Sequence, residues 1–261
     1  MSPTPRQTAL VLQAPIDAIT WPTALERIDR WAAQRQSRCV CICNAHSVVT
    51  ATQDASFADV LRQADMATPD GAPVAWMLRR LGHPQQQRIN GPDLMLRCCQ
   101  RAAANGTGIY LLGSTPDTLA ALQRELARLY PALRISGAHS PPFRPLSAEE
   151  DHALVTQLNE SGAGIVFVSL GCPKQERWMA EHRGRVQAVM MGVGAAFDFH
   201  AGTVSRAPAW MQHNGLEWLH RLLSEPRRLW RRYLVTNTLF IVGAARQLLS
   251  SGRAGTAHGR R

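Results

Sequence analysis

No Asp-any-Asp pair occurs anywhere in this chain of 261 residues, which removes one common way of holding a divalent metal against a diphosphate. The six cysteines supply no metal set either. Cys39, Cys41 and Cys43 alternate along one stretch, Cys98 and Cys99 are adjacent, and Cys172 stands alone. Zinc sites favour a two-residue gap with a second matching pair, which is missing. The six therefore read as reduced cysteines packed as small apolar residues, which implies a cytosolic compartment. No charged start followed by an apolar core opens the chain, so no secretory signal is expected. The longest uncharged stretch of the tail, from Tyr233 to Ala245, falls short of the ~20 residues that a spanning helix requires. Internal repeats are absent. Gly192-Val-Gly-Ala-Ala-Phe197 has Phe where a dinucleotide fingerprint needs its third small residue, and no acidic residue follows at the end of a next strand.

What the chain does have is alternation. Apolar runs at Ala9–Leu12, Arg38–Cys43, Gly108–Leu112, Leu133–Ser136, Gly164–Leu170 and Val186–Met191 read as strands. Between and beside them, helical periodicity covers Thr23–Gln34, Phe57–Ala64, Ala72–Leu81, Pro92–Ala104, Pro116–Leu129, Ala148–Asn159 and Lys174–His182. This order predicts an α/β fold, Rossmann-like, with a mainly parallel sheet and helices on both faces. Ligands in such sheets bind beyond the carboxyl ends of the strands. A catalytic domain is expected over 1–206, a basic amphipathic helical appendage over 207–249 and a disordered tail over 250–261. Ser140–Pro145 reads as a Pro-rich surface loop.

The stretch from Ile165 to Trp178 points to a ligand class. An apolar strand runs into Gly171-Cys-Pro-Lys-Gln-Glu176 and then a helix. A helix start there presents unpaired N–H groups and a partial positive charge, and Lys174 adds a full one. Such a place suits an anionic, phosphorylated ligand. Gly113 opens a similar turn, Gly113-Ser-Thr-Pro116, and is counted with the ligand-binding positions.

Net charge is +10, and its distribution is uneven. From Ala201 onward ten arginines face only Glu217 and Glu225, a balance of +8. From Ala207, Trp210, Trp218, Trp230 and several leucines interleave with arginines at helical spacing. Two readings stay open: an interfacial helix lying on anionic lipid, or a helical hairpin packed on the domain with a solvated arginine face. Arg221, Arg228 and Arg231 share one helical face if the Pro226 region does not break the alignment, whereas Arg227 and Arg232 lie off that stripe.

Several of these segments recur together in a known order. Asn44 sits in a strand-to-helix turn, followed by Pro69-Asp70-Gly71 and Arg88-Ile-Asn-Gly-Pro-Asp-Leu94. Then come GCPKQE, Gly192-Val-Gly-Ala-Ala-Phe-Asp198, Arg206-Ala-Pro-Ala-Trp210, Gly215-Leu-Glu-Trp-Leu-His-Arg221 and Glu225-Pro-Arg-Arg228. From about Cys39 to about Tyr233 the chain resembles the WecG/TagA/CpsF family of bacterial glycosyltransferases.

The resemblance implies transfer of a sugar, N-acetylmannosamine or a related hexose, from a UDP-sugar to a polyprenyl-diphosphate-linked acceptor. It implies inversion by single displacement in cell-envelope or exopolysaccharide synthesis. With no Asp-any-Asp pair to hold a metal, no metal or other cofactor is expected, and positive charge must come from helix starts and from Lys or Arg. Left to its residues, Asp70 before Gly71 is a turn former; the motif match makes it the base. Arg88 would otherwise be a surface charge, and the match makes it a cleft arginine. Asn44 is expected to contact sugar or acceptor hydroxyls while capping a helix. Ile42 stands where many relatives carry Thr, so the polar contact of that Thr is not expected here. Gln175 would hydrogen-bond a sugar hydroxyl or a uracil edge. Asp198 is left between binding ribose, orienting an arginine and a structural role, and Asp93 reads as a helix cap. Arg221, Arg228 and Arg231 would close over the site and stabilise the diphosphate. The resemblance also favours docking on an anionic membrane surface, placing the protein in the cytoplasm, peripheral on the inner face of the cell membrane.

Other readings remain at this point. A UDP-glucose or UDP-uronic acid donor keeps the family, and a homo-oligomer is left open. A basic nucleic-acid-binding α/β protein would instead show salt-sensitive binding indifferent to UDP; no nucleic acid is the expected outcome. An inactive membrane scaffold is disfavoured by Asp70, Arg88 and Gln175.

Overall fold

The computed structural model describes residues 6–257, with the side chains of His213, Arg228 and 251–257 outside the description. The chain opens with an antiparallel hairpin, β1 (Thr8–Val11) and β2 (Ala14–Asp17), and continues through α1 (Trp21–Ala33) into β3 (Arg38–Cys43). Helices α2 (Ala45–Gln53) and α3 (Ala55–Gln63) precede β4 (Met66–Pro69). Helices α4 (Ala72–Arg80) and α5 (Gly91–Asn105) then lead to β5 (Ile109–Gly113), α6 (Pro116–Leu129) and β6 (Ile135–His139). The next units are α7 (Ala148–Glu160), β7 (Ile165–Ser169), α8 (Lys174–Glu181), β8 (Val189–Gly192) and α9 (Ala196–His200). Helices α10 (Ala209–His213), α11 (Glu217–Ser224) and α12 (Pro226–Ala257) close the chain.

Strands β4-β3-β8-β7-β5-β6 form one sheet, parallel throughout. The expected α/β fold with a parallel sheet between helices is therefore present. β3, β5, β7 and β8 are almost wholly buried, as strands covered on both faces must be, while the edge strand β6 is half-buried along its length. Alternate residues feed two cores. Cys39, Cys41, Cys43, Tyr110, Val166, Val168 and Met190 face one, and Val40, Ile42, Leu111, Phe167, Val189 and Met191 face the other. All six cysteines are free and all but Cys172 are buried.

Two strands escape the sequence reading. β2 contains Pro15, which normally argues against a strand, but a two-stranded hairpin has an unpaired edge that tolerates it. β4 is four residues ending in Pro69, too short for a periodic signal. The last helix also departs from expectation. α12 runs through Ala257, into the stretch from Ser250 expected to be disordered; residues 258–261 of that stretch lie outside the described residues. Once packed, a helix extends by one hydrogen bond per residue without a new nucleation cost. Its packing is substantial: Phe240 and Ala244 belong to the same buried core as the cysteine face of the sheet. Gln247 pins it to the hairpin, its amide donating to Leu10 O at 2.6 Å and its oxygen accepting from Leu12 N at 2.8 Å.

Candidate active site

The strands point their carboxyl ends at a cavity of about 710 Å³. Its wall is made of strand-to-helix turns: Asn44–Ser47 after β3, Asp70–Pro73 after β4, Ser114 and Thr115 after β5, Gly171 and Cys172 after β7, and Gly194–Ala196 after β8. Asn90–Pro92 at the start of α5 joins them, and Glu217, Trp218, Arg221, Leu229, Arg232 and Tyr233 close the far side. A shallower depression of about 660 Å³ lies on the flank between β6 and α7.

Some helix starts are internally satisfied. Asn44 Oδ1 accepts from the His46 and Ser47 N–H groups at 3.0 and 3.2 Å, and Asn90 and Thr115 cap α5 and α6. The cap of α5 is thus Asn90, with Asp93 one turn inside the helix and bonded back to it at 2.7 Å. The start of α4 has no side-chain cap, which leaves N–H groups there for an anion. The start of α8 lacks one too, but its Gln175 N–H already donates to Gly171 O at 2.9 Å.

Asp70 follows β4, held by its own N–H donating to Cys43 O at 2.9 Å. Gly71, at φ 81°, turns the chain sharply into α4. Burial pushes the Asp70 carboxyl up to about 6; Arg88 and Arg221 pull it down, and the Glu217 charge pushes it further up. A carboxylate poised there accepts a proton readily near neutral pH. Tyr233 faces the same group, its hydroxyl shifted upward chiefly by burial. His46, in the wall formed by α2, is lowered to about 4 by burial and by Arg232.

Asn44, Asp70, Arg88, Gln175, Asp198 and Arg221 all line this one cavity. Three other expected positions do not. Lys174 is exposed on the first turn of α8 and lies outside the lining. Gly113 is buried, and its role is close packing: a Cβ there would meet Ser169 O at 2.3 Å, at φ 115°. Arg231 is exposed and outside the lining, whereas Arg232 is in it. The reason is the break at Pro226: α11 ends at Ser224 and α12 begins afresh, so the stripe of Arg221 and Arg231 is not continuous. The side chain of Arg228 lies outside the described residues.

Gln175 is already engaged. Its oxygen accepts from Gly194 N at 3.1 Å and its amide donates to Glu176 at 2.8 Å, so it ties α8 to the turn after β8. Sequence reasoning also passed over Glu217, whose carboxylate is 2.6 Å from Arg88 Nη1. Its only signal was its place in the Gly215–Arg221 segment. Among the described residues no group of three or more His, Cys, Asp or Glu side chains is placed to hold a metal ion, and no helix is long and apolar enough to cross a membrane.

A family model described as "Glycosyl transferase WecG/TagA/CpsF family" matches residues 9–254. The match covers nearly the whole chain, and the protein belongs to that family. It is a glycosyltransferase of cell-envelope polysaccharide synthesis, with a nucleotide-sugar donor and a lipid-linked acceptor implied.

Proposed function

We propose that this WecG/TagA/CpsF glycosyltransferase moves N-acetylmannosamine, or a related hexose, from a UDP-sugar to a polyprenyl-diphosphate-linked acceptor with inversion. The observation that carries the reading is Asp70: a carboxyl raised to about 6 at the carboxyl ends of a parallel sheet, with Arg88 and Arg221 beside it. In one displacement the acceptor hydroxyl attacks the anomeric carbon, Asp70 takes its proton, and the bond to the UDP oxygen breaks. The departing diphosphate gains one negative charge, on the oxygen released from the anomeric carbon. Arg88, Arg221 and Arg232, with the uncapped start of α4, stabilise it without a metal. Asn44 and Asp198 contact donor or acceptor hydroxyls from the same wall.

The acceptor is a lipid, and α12 offers a surface for its membrane. Trp230, Leu234 and Ile241 are 55%, 62% and 67% exposed and fall on one helical face, flanked by exposed Arg227 and Arg231. Apolar anchors with arginines beside them suit an anionic bilayer surface. The protein then works as a peripheral enzyme on the cytoplasmic face.

A thermal-shift panel of UDP-sugars identifies the donor, because a ligand that binds only the folded state raises Tm. The stabilising sugar is then tested for transfer to a short-chain polyprenyl-diphosphate acceptor, with the anomeric product configuration read by NMR. Retention of configuration, or transfer only from a non-UDP donor, overturns the proposal. Stabilisation by UDP-glucose or a UDP-uronic acid alone would change the sugar and keep the mechanism.

A further inference from the structure

Glu217 reaches into the cavity from the first residue of α11, and its carboxylate is divided between two guanidinium groups. One oxygen is 2.6 Å from Arg88 Nη1, and the other is 3.5 Å from Arg206 Nε. Arg206 Nε is buried without a hydrogen-bond partner, so the longer approach is a contact of charges and not a hydrogen bond. Arg206 is held in turn by Asp93 of α5 at 2.6 Å. Alternating charges therefore run Asp93, Arg206, Glu217, Arg88, from the start of α5 through α11 and back to the segment before α5.

Beyond these ion pairs helix α11 is held by surface contacts, Trp218 against the Tyr233 ring at 6.0 Å and Arg221 over the Phe199 ring at 5.6 Å. None of its residues is buried, and its N-cap Leu216 supplies no side-chain hydrogen bond. Elements with few buried contacts open easily. Yet the same helix brings Trp218 and Arg221 to the cavity wall.

We infer that Glu217 is a positioning residue that latches α11 over the cavity through Arg88 and Arg206, and so sets Trp218 and Arg221 in place. Its catalytic consequence rests on the transferase reading above; the latch itself does not. The latch also acts on Asp70 electrostatically. The groups facing that carboxyl are Arg88, Glu217 and Arg221, the Gly71 N–H, and Tyr233 from α12. Neutralising Glu217 removes the negative charge and leaves the Arg88 and Arg221 guanidinium groups as the charges that face Asp70, so it releases its proton at lower pH. A merely structural residue would not shift that titration.

The test uses the unliganded full chain, so its result is independent of any transfer assay. Hydrogen exchange of residues 216–224 and the ¹³C-carboxyl titration of Asp70, assigned by its loss in Asp70→Asn, are compared among wild type, Glu217→Gln and Glu217→Asp. Glu217→Gln should speed α11 exchange by about tenfold or more and lower the Asp70 midpoint by about half a pH unit or more. Glu217→Asp keeps the charge but withdraws it from Arg88, so exchange should quicken while the midpoint stays nearer wild type. Unchanged exchange in both variants overturns the latch, and an unchanged midpoint in Glu217→Gln overturns the coupling to Asp70.

Discussion

Gly113 lies so close against Ser169 that the ends of β5 and β7 meet backbone to backbone. The Ser169 carbonyl accepts from Ser114 N at 3.2 Å, and the Ser169 hydroxyl donates to Gly194 O at 2.8 Å across β8. Three strand ends are thus stitched together under the cavity. Gly113→Ala places a methyl 2.3 Å from the Ser169 oxygen and strains a φ of 115°. It should cost about 2 kcal/mol or more of stability, read as a fall in urea midpoint. Wild-type stability in that variant would show that the strand ends yield freely.

Asp70→Asn should fold, bind UDP and lose turnover by about 10²–10⁴. The rate of the wild type should rise with pH through about 6, because the base works deprotonated. Stability carries the opposite sign. Between the ordinary value of 3.8 and about 6 the folded protein holds a proton that the unfolded chain has released. Stability therefore falls across that window as pH rises, and the penalty remains above it. Asp70→Asn removes the penalty, so it should be more stable than wild type at pH 7.5 by on the order of 1–3 kcal/mol. The gain should shrink toward zero near pH 4. A variant equal to wild type in both turnover and stability would remove Asp70 from the mechanism.

Arg232 and Arg231 are neighbours with different surroundings, one in the cavity wall and one outside it. Arg232→Ala should lower turnover on a soluble acceptor by roughly 10–10³, in the range of losing one charge-stabilising donor. Arg231→Ala should leave it within about threefold, since an exposed charge off the wall contributes little. Equal losses would mean that the cavity wall does not decide which arginine matters.

On the opposite face of α12, Leu234→Glu and Ile241→Glu should release the protein from vesicles containing anionic lipid. Both side chains are exposed, so neither change disturbs the core. Activity on a soluble acceptor should persist. Retention on vesicles, measured by flotation, would move the membrane contact elsewhere.

Transfer should survive excess EDTA, because guanidinium groups and the start of α4 supply the positive charge expected at the diphosphate. Loss of transfer restored by Mg²⁺ or Mn²⁺ would overturn that account.

The sequence made some of this legible and hid the rest for physical reasons. β3 and α6 have the boundaries expected from pattern alone, since a buried run and a capped amphipathic helix are local signals. The order of strands in the sheet is not local, and neither is Glu217. A lone acid among leucines, tryptophans and arginines reads as a charge on a helix face, and only folding brings it to Arg88. Arg232 was hidden by phase. Counting a stripe through Glu225 assumes one helix, and the chain makes two. Gln175 was recognisable as a motif residue, but its bonds to Gly194 and Glu176 depend on how the turn after β8 falls.

Lys174 is the only lysine in the chain, and it stands outside the cavity. Every basic side chain in the wall other than the neutral-leaning His46 is a guanidinium, which keeps its proton across the whole range in which proteins stay folded. The positive field over the site therefore does not titrate. Alkalinity cannot switch off anion capture by neutralising a wall lysine, and reagents that modify amines should spare the site, while dicarbonyls aimed at arginine should silence it.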